Sequence, residues 1–330
     1  MSAARTTAAA PVATTNALTV DVEDYFQVEA FARTIARDQW DSFPRRVEAN
    51  TDRLLGMFAR AGVHATFFTL GWVAERHPAL VRRIVAAGHE LASHGFGHAR
   101  VATLTADEFR QDVTRAKQLL EDTGGVAVAG YRAPTFSIKP TFSIKPAFSI
   151  KPATPWAYPI LAETGHRYSS SIYPVRHDLY GAPDAPRFIH PVADGALWEV
   201  PMTTLRLRRG PLAGQNLPCA GGGYFRLLPY AVFRRMLAAV NRAEPGPAMF
   251  YTHPWEIDAD QPRIAGAGRL SRFRHYLNLG RTAPRLEQLL HDFAWGRMDR
   301  VFPELAAHPA APLAVGQAAP PGAATLASAA

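Results

Sequence analysis

Two histidines four residues apart, His94 and His98, lie in the run Ser93-His94-Gly95-Phe96-Gly97-His98, directly after a short apolar stretch. This HxxxH pair is the clearest metal-ligand spacing in the chain, although the pattern is short and two loop histidines would produce it equally well. Three carboxylates, Asp21, Glu23 and Asp24, follow the apolar run Ala17-Leu18-Thr19-Val20. Arg132 follows a further apolar run, and His253 follows Met249-Phe250-Tyr251-Thr252. The single cysteine, Cys219, excludes an internal disulfide and a thiolate-rich zinc site, so a metal here has to be held by histidine and carboxylate.

The elements that must position these groups alternate. Val47, Leu54, Leu55 and Phe58 have helical spacing ended by Gly62, and Ala65-Thr66-Phe67-Phe68-Thr69-Leu70 reads as a buried strand. Ala79, Leu80, Ile84 and Val85 mark a second helix, and His89-Glu90-Leu91-Ala92-Ser93 a strand that delivers the histidine pair. Thr105-Ala106-Asp107-Glu108 has the form of a capping box opening a helix through Phe109 and Leu120, which Gly124-Gly125 ends. Strands are expected over 126–130, 167–172, 196–201 and 247–252, with helices from Trp156, from Pro229 and around Leu286, Leu289, Leu290 and Phe293. Gly221-Gly222-Gly223 lacks the context of a phosphate loop and reads as a tight turn. The polar groups therefore fall at strand C-terminal ends, where α/β sheets and barrels build their sites. Strand alternation puts Asp21 and Glu23 on one face, while Asp24 lies where the chain is already turning away. His64, His89 and His190 are expected to be structural.

A chain of 330 residues, 48% hydrophobic and 19% charged, has the balance of a globular protein. Its net charge of +8 comes from arginines spread through helical patterns, with Arg206-Leu207-Arg208-Arg209 as the local cluster. No basic helix, zinc-finger spacing or aromatic RNA motif accompanies them, which argues against nucleic-acid binding. Without a signal-peptide core or an apolar run of membrane length, the chain reads as soluble and cytoplasmic. Residues 1–16 form an Ala/Thr-rich leader expected to be disordered, 17–305 one domain, and 306–330 an Ala/Pro-rich disordered tail. Thr-Phe-Ser-Ile-Lys-Pro at 135–140 recurs at 141–146 and, with Ala first, at 147–152. A proline every sixth residue makes this insertion extended or looped.

Thr19-Val20-Asp21-Val22-Glu23-Asp24, Ser93-His94-Gly95-Phe96-Gly97-His98, Arg132-Ala133-Pro134-Thr135-Phe136 and His253 resemble, in order, the motifs of the polysaccharide deacetylase family (NodB homology, carbohydrate esterase family 4). With Gly-Gly-Gly-Tyr-Phe-Arg and His-Pro-Trp-Glu added, the wording is most similar to the subgroup that accompanies exosortase-linked (PEP-CTERM) exopolysaccharide loci. The resemblance implies an α/β fold, a distorted (β/α)7 barrel, and a divalent metal, zinc or a similar ion, held by His94, His98 and either Glu23 or Asp24. It implies Asp21 as general base, Arg132 as its support and His253 as general acid. Tyr25, Phe136 and Trp255 become expected substrate-binding residues, and Glu199 the acid expected to tune His253 in place of the family's missing fourth-motif Asp. The backbone N–H of Thr135 or Phe136 is the expected oxyanion donor. The implied partner is an N-acetylated polysaccharide or oligosaccharide, and oligomeric state is left open. A catalytically silent glycan- or partner-binding barrel and a metal-independent amidohydrolase acting on ureides are the alternatives.

Overall fold

The computed structural model describes residues 14–139, 154–177, 180–211 and 213–307. The first half alternates β1 (Thr15–Val22), α1 (Val47–Ala61), β2 (Thr66–Thr69), α2 (Gly71–Arg76), α3 (Pro78–Ala86), β3 (Glu90–Ser93), α4 (Ala106–Gly124), β4 (Gly130–Tyr131), α5 (Ala157–Glu163) and β5 (Tyr168–Ser169). The second half adds β6 (His190–Val192), β7 (Leu197–Glu199), the hairpin β8 (Thr204–Arg206) and β9 (Asn216–Pro218), and α6 (Gly222–Leu227). It continues with α7 (Tyr230–Ala243), β10 (Met249–Thr252), α8 (Arg269–Tyr276), α9 (Leu279–Asp292) and β11 (Ala294–Gly296).

The main sheet has the order β10-β1-β2-β3-β4-β5-β7-β6, with β11 also on β1. Only β6 on β7 is antiparallel. This mostly parallel sheet with helices between successive strands is the expected α/β class. The chain after β7 is stitched to β10, since Met249 N–H donates to Thr203 Oγ1 at 2.6 Å and Tyr251 N–H to Ala220 O at 2.7 Å. Among the described residues no ladder joins β6 to β10.

Alternation along β1 decides what faces the site. Leu18, Val20 and Val22 pack outward with Phe58, Phe67 and Phe250. Thr19 and Asp21 point the other way, where Arg132 reaches both. The capping box of α4 forms as read, with Glu108 N–H donating to Thr105 Oγ1 and Thr105 N–H to the Glu108 carboxylate. Four sequence expectations change. The strand starts at Thr15, inside the expected leader, because buried Asn16 accepts the N–H of Ala248 through its side chain. The expected strands over 126–130 and 167–172 shrink to Gly130–Tyr131 and Tyr168–Ser169. The triple glycine does not form an isolated turn, since Gly222 and Gly223 open α6. Most of the hexad insertion, from 140 to 152, and nearly all of the C-terminal tail lie outside the described residues. Among the described residues no helix is long and apolar enough to cross a membrane.

Candidate active site

Four strand ends, those of β1, β3, β4 and β10, supply the centre. Glu23, one residue beyond β1, meets His94 and His98, which follow β3, and all three side chains are buried. Glu23 Oε2 stands 2.7 Å from His98 Nε2. Burial would raise the Glu23 carboxyl, and this contact holds it below its ordinary value. Its other oxygen, Oε1, accepts from Trp255 Nε1 at 3.2 Å, which fixes the carboxylate's direction. His94 Nδ1 lies 2.8 Å from the carbonyl oxygen of Arg132. A carbonyl can only accept, so Nδ1 carries the proton and Nε2 keeps its lone pair. Burial, aided by the neighbouring His98, pushes His94 down to about 3, so the ring is neutral at physiological pH. A carboxylate oxygen beside two imidazoles, one oriented by a backbone carbonyl, is a donor set that could hold a divalent cation.

The loop carrying the two histidines is shaped by its backbone. His98 has φ 51 and Gly95 φ 74, both left-handed. A side chain on Gly95 would put its Cβ within 2.7 Å of the Asp112 carboxylate. That carboxylate, on α4, accepts the N–H groups of Phe96 at 2.9 Å and Gly97 at 3.4 Å. Asp112 was not foreseen, because an acid on an amphipathic helix looks like any solvent-facing one.

Arg132 is completely buried and held on every side. It donates to Asp21 Oδ1 at 2.6 Å, Thr19 Oγ1 at 2.9 Å, Ser170 O at 3.2 Å and Ser170 Oγ at 3.0 Å. Its guanidinium lies 4.0 Å above the Phe68 ring centroid. Arg132 thus occupies one oxygen of Asp21, while the other, Oδ2, faces His253 Nε2 across 3.9 Å. The His253 side chain is 16% exposed against 3% for Asp21, which makes it the solvent-reachable member of the pair.

His253 sits at the end of β10 with Nδ1 3.5 Å from Glu256 Oε1. Burial would depress its affinity for a proton, but Glu256, Glu23 and Asp21 together raise it to about 9. Glu256 is itself buried. That burial alone would raise its carboxyl, and Arg226 and His253 overcome it to hold the group down to about 2. Glu256 was missed as a partner although it stands three residues after His253, in the same short helical turn.

Four sequence assignments change. Glu199 does not reach His253: its buried carboxylate accepts the N–H groups of Ser171 at 2.8 Å and Ile172 at 2.9 Å, and the hydroxyl of Tyr158. Asp24 does not join the histidines. Its carboxylate accepts the N–H groups of Tyr25, Arg46 and Val47, at the start of α1. Tyr25 is fully buried in the core against Phe26, where no substrate can reach it. Phe136 is buried among Tyr173, Tyr180 and Tyr251. Its N–H donates to Ala133 O and so is not free for the expected oxyanion role, while Thr135 is in the left-handed conformation at φ 58. Trp255 keeps its place beside the site: it stacks on His253 with centroids 5.0 Å apart and lines an open groove of about 380 Å3 with Tyr180, Tyr224 and Phe273. His89 is structural as expected, its Nδ1 accepting the N–H of Ala65.

Residues 38–147 match the family described as polysaccharide deacetylase, and residues 170–303 a domain of unknown function, DUF3473. The chain is 33% identical over 84 residues to a peptidoglycan-N-acetylglucosamine deacetylase of Bacillus cereus, covering 26% of this chain and 30% of that protein. It is 38% identical over 79 residues to a chitooligosaccharide deacetylase of Sinorhizobium fredii, covering 24% and 34% respectively. The chain thus spans about a third of the length of the curated relatives it matches. The fold is similar to the crystal structure of a Mycobacterium smegmatis protein described as a polysaccharide deacetylase, with TM-score 0.54, 23% identity, and coverage of 94% of this chain and 97% of that one.

Proposed function

We propose that this chain, which belongs to the polysaccharide deacetylase family (NodB homology, carbohydrate esterase family 4), removes N-acetyl groups from hexosamine units of a glycan by attack of water on the acetamide carbonyl. The observation that carries this reading is the convergence of the Glu23, His94 and His98 cluster, the Asp21–Arg132 pair and His253 on one end of the sheet. Glu23, His94 and His98 would hold a divalent ion, zinc by the chemistry of the donors; when bound, such an ion supplies a Lewis acid for the carbonyl and lowers the proton affinity of water. This donor set favours a metal-dependent hydrolase over a ureide amidohydrolase that works without one.

The protein's own groups divide the proton transfers. Asp21, with Oδ1 held by Arg132, presents Oδ2 as the base that takes a proton from the attacking water. His253, charged because three carboxylates surround it, gives its proton to the departing amine, which is otherwise a poor leaving group. Thr135 N–H supports the oxygen of the tetrahedral intermediate. Trp255 orients Glu23 through its ring N–H, its own ring held between His253 and His275. The motif wording directs the substrate class to an exopolysaccharide or its precursor.

The test is acetate release from N-acetylchitooligosaccharides and from a purified N-acetylated exopolysaccharide, together with the metal content of the purified protein. Stoichiometric zinc and release of acetate are expected, with Asp21→Asn lowering kcat by about 10²–10⁴-fold. A folded, metal-loaded protein that releases acetate from neither glycan would overturn the reading in favour of a glycan-binding barrel.

A further inference from the structure

The positive charge is less evenly spread than the arginines suggest. Between Asp260 and Glu287 there are six arginines and no Asp or Glu, so this stretch alone contributes +6 against a whole-chain net charge of +8. It contains α8, where Arg269, Arg272 and Arg274 are exposed, with Arg263 and Arg281 exposed on either side of the helix.

The same helix also exposes apolar surface. His275 turns inward, stacked on Trp255 with centroids 4.2 Å apart, and packs against Phe31. On α8 Leu270 is 57% and Phe273 56% exposed, three residues apart and so on one face, and Leu227 of α6 is 51% exposed. These three are the most exposed large apolar side chains among the described residues, and all three line the groove that Trp255 shares with the site. Single exposed apolar residues need no explanation, but a cluster rimmed by one sign of charge at the mouth of a groove marks an interaction surface.

We propose that the face formed by α8 and Leu227 docks on an anionic lipid bilayer, with Leu270, Phe273 and Leu227 entering the headgroup boundary and the arginines meeting lipid phosphates. Charge complementarity and the exposed apolar cluster favour this occupant together. A soluble polyanion would use the arginines and leave the apolar residues unexplained, whereas an interfacial helix uses both. Docking in this way turns the groove beside His253 toward the membrane. The inference goes beyond deacetylation, and its readout is lipid binding, so it stands or falls independently of acetate release.

Purified full-length protein is sedimented with vesicles of phosphatidylglycerol mixed with phosphatidylcholine, and with vesicles of phosphatidylcholine alone. Binding to the anionic vesicles only is expected. Phe273→Glu and Leu270→Glu should each weaken it by about tenfold, and the double variant Arg269→Gln/Arg272→Gln by a similar factor. Val126→Glu, which alters an exposed apolar residue lining a different cavity, should leave it unchanged. Melting temperatures equal to the parent's establish that the variants fold. The proposal is overturned if the parent ignores anionic vesicles. It is also overturned if folded Phe273→Glu and Leu270→Glu bind like the parent while the arginine variant does not, which would reveal a general polyanion site. A parent that ignores vesicles but is a dimer dispersed by Phe273→Glu would assign the face to a second copy instead.

Discussion

At His253 two effects oppose each other: burial favours the neutral imidazole, while Glu256, Glu23 and Asp21 favour the imidazolium and lift the group to about 9. A proton donor raised in this way is charged at lower pH and is lost as pH rises, so kcat for acetate release should fall along an alkaline limb. Glu256→Gln removes the strongest of the raising partners and leaves the burial in place. The limb should then move down by about one to two pH units, whereas Glu199→Gln should leave it where it is, because the Glu199 carboxylate is bound to Ser171 and Ile172. The pH-rate profiles of the two variants check this, and an unmoved limb in Glu256→Gln would remove Glu256 from the mechanism. The His253 to Glu256 spacing stands in the sequence, but the helical turn that brings the two together is seen only in the structure. The strand-end position of Glu199 was misleading, because it gives a height along the sheet but not the neighbours that a side chain meets.

Where β1 gives way to its loop, adjacent carboxylates take different duties for reasons of element geometry. Alternation carries Thr19 and Asp21 inward, and Glu23 continues that direction toward His98. Asp24 falls out of phase and reaches the first turn of α1, whose N-cap position, Arg46, has no side-chain cap of its own. The Asp24 carboxylate accepts the N–H groups of Arg46 at 2.7 Å and Val47 at 3.0 Å, satisfying donors that the helix start leaves open. Asp24→Ala should therefore cost about 1–2 kcal/mol of stability in a denaturant titration and leave zinc binding intact. Glu23→Gln should do the reverse, weakening zinc binding by at least about tenfold with little change in the metal-free fold. Zinc retained by Glu23→Gln and lost from Asp24→Ala would exchange the two roles. Elements with strong local signals, such as the capping box before α4 and the Gly62 stop after α1, were legible in the sequence. The three-residue strands β8, β9 and β11 were not, since so short a run shows no alternation. The triple glycine misled for a tertiary reason: Gly221 has φ 123, and a Cβ there would lie 2.1 Å from the Tyr251 carbonyl oxygen on β10. No sequence window contains both partners.

Across the whole molecule, side chains from β1, β3, β4 and β10 meet at one end of the sheet because parallel strands joined by helices all point their C-terminal ends the same way. That convergence was legible from the βα alternation, whereas the antiparallel β6 and the stitching of the chain after β7 onto β10 depend on contacts remote in sequence. The hexad insertion interrupts the chain just beyond Thr135, and the described residues show how its two ends are joined. Lys139 N–H donates to Thr154 Oγ1 at 3.0 Å, and Thr154 N–H donates to Lys139 O at 3.3 Å. A segment whose flanks are already paired can be shortened without separating them. Deleting residues 141–152 leaves only Pro140 and Ala153 between the paired residues, a length that a tight turn can span. Loop closure over this shorter segment is favoured by about 1–2 kcal/mol, so the deletion should keep or raise the melting temperature. Acetate release from short chitooligosaccharides should be unchanged if the repeat is a passive loop. A deletion variant that melts like the parent but loses that activity would show instead that the repeat takes part in binding substrate beside Thr135.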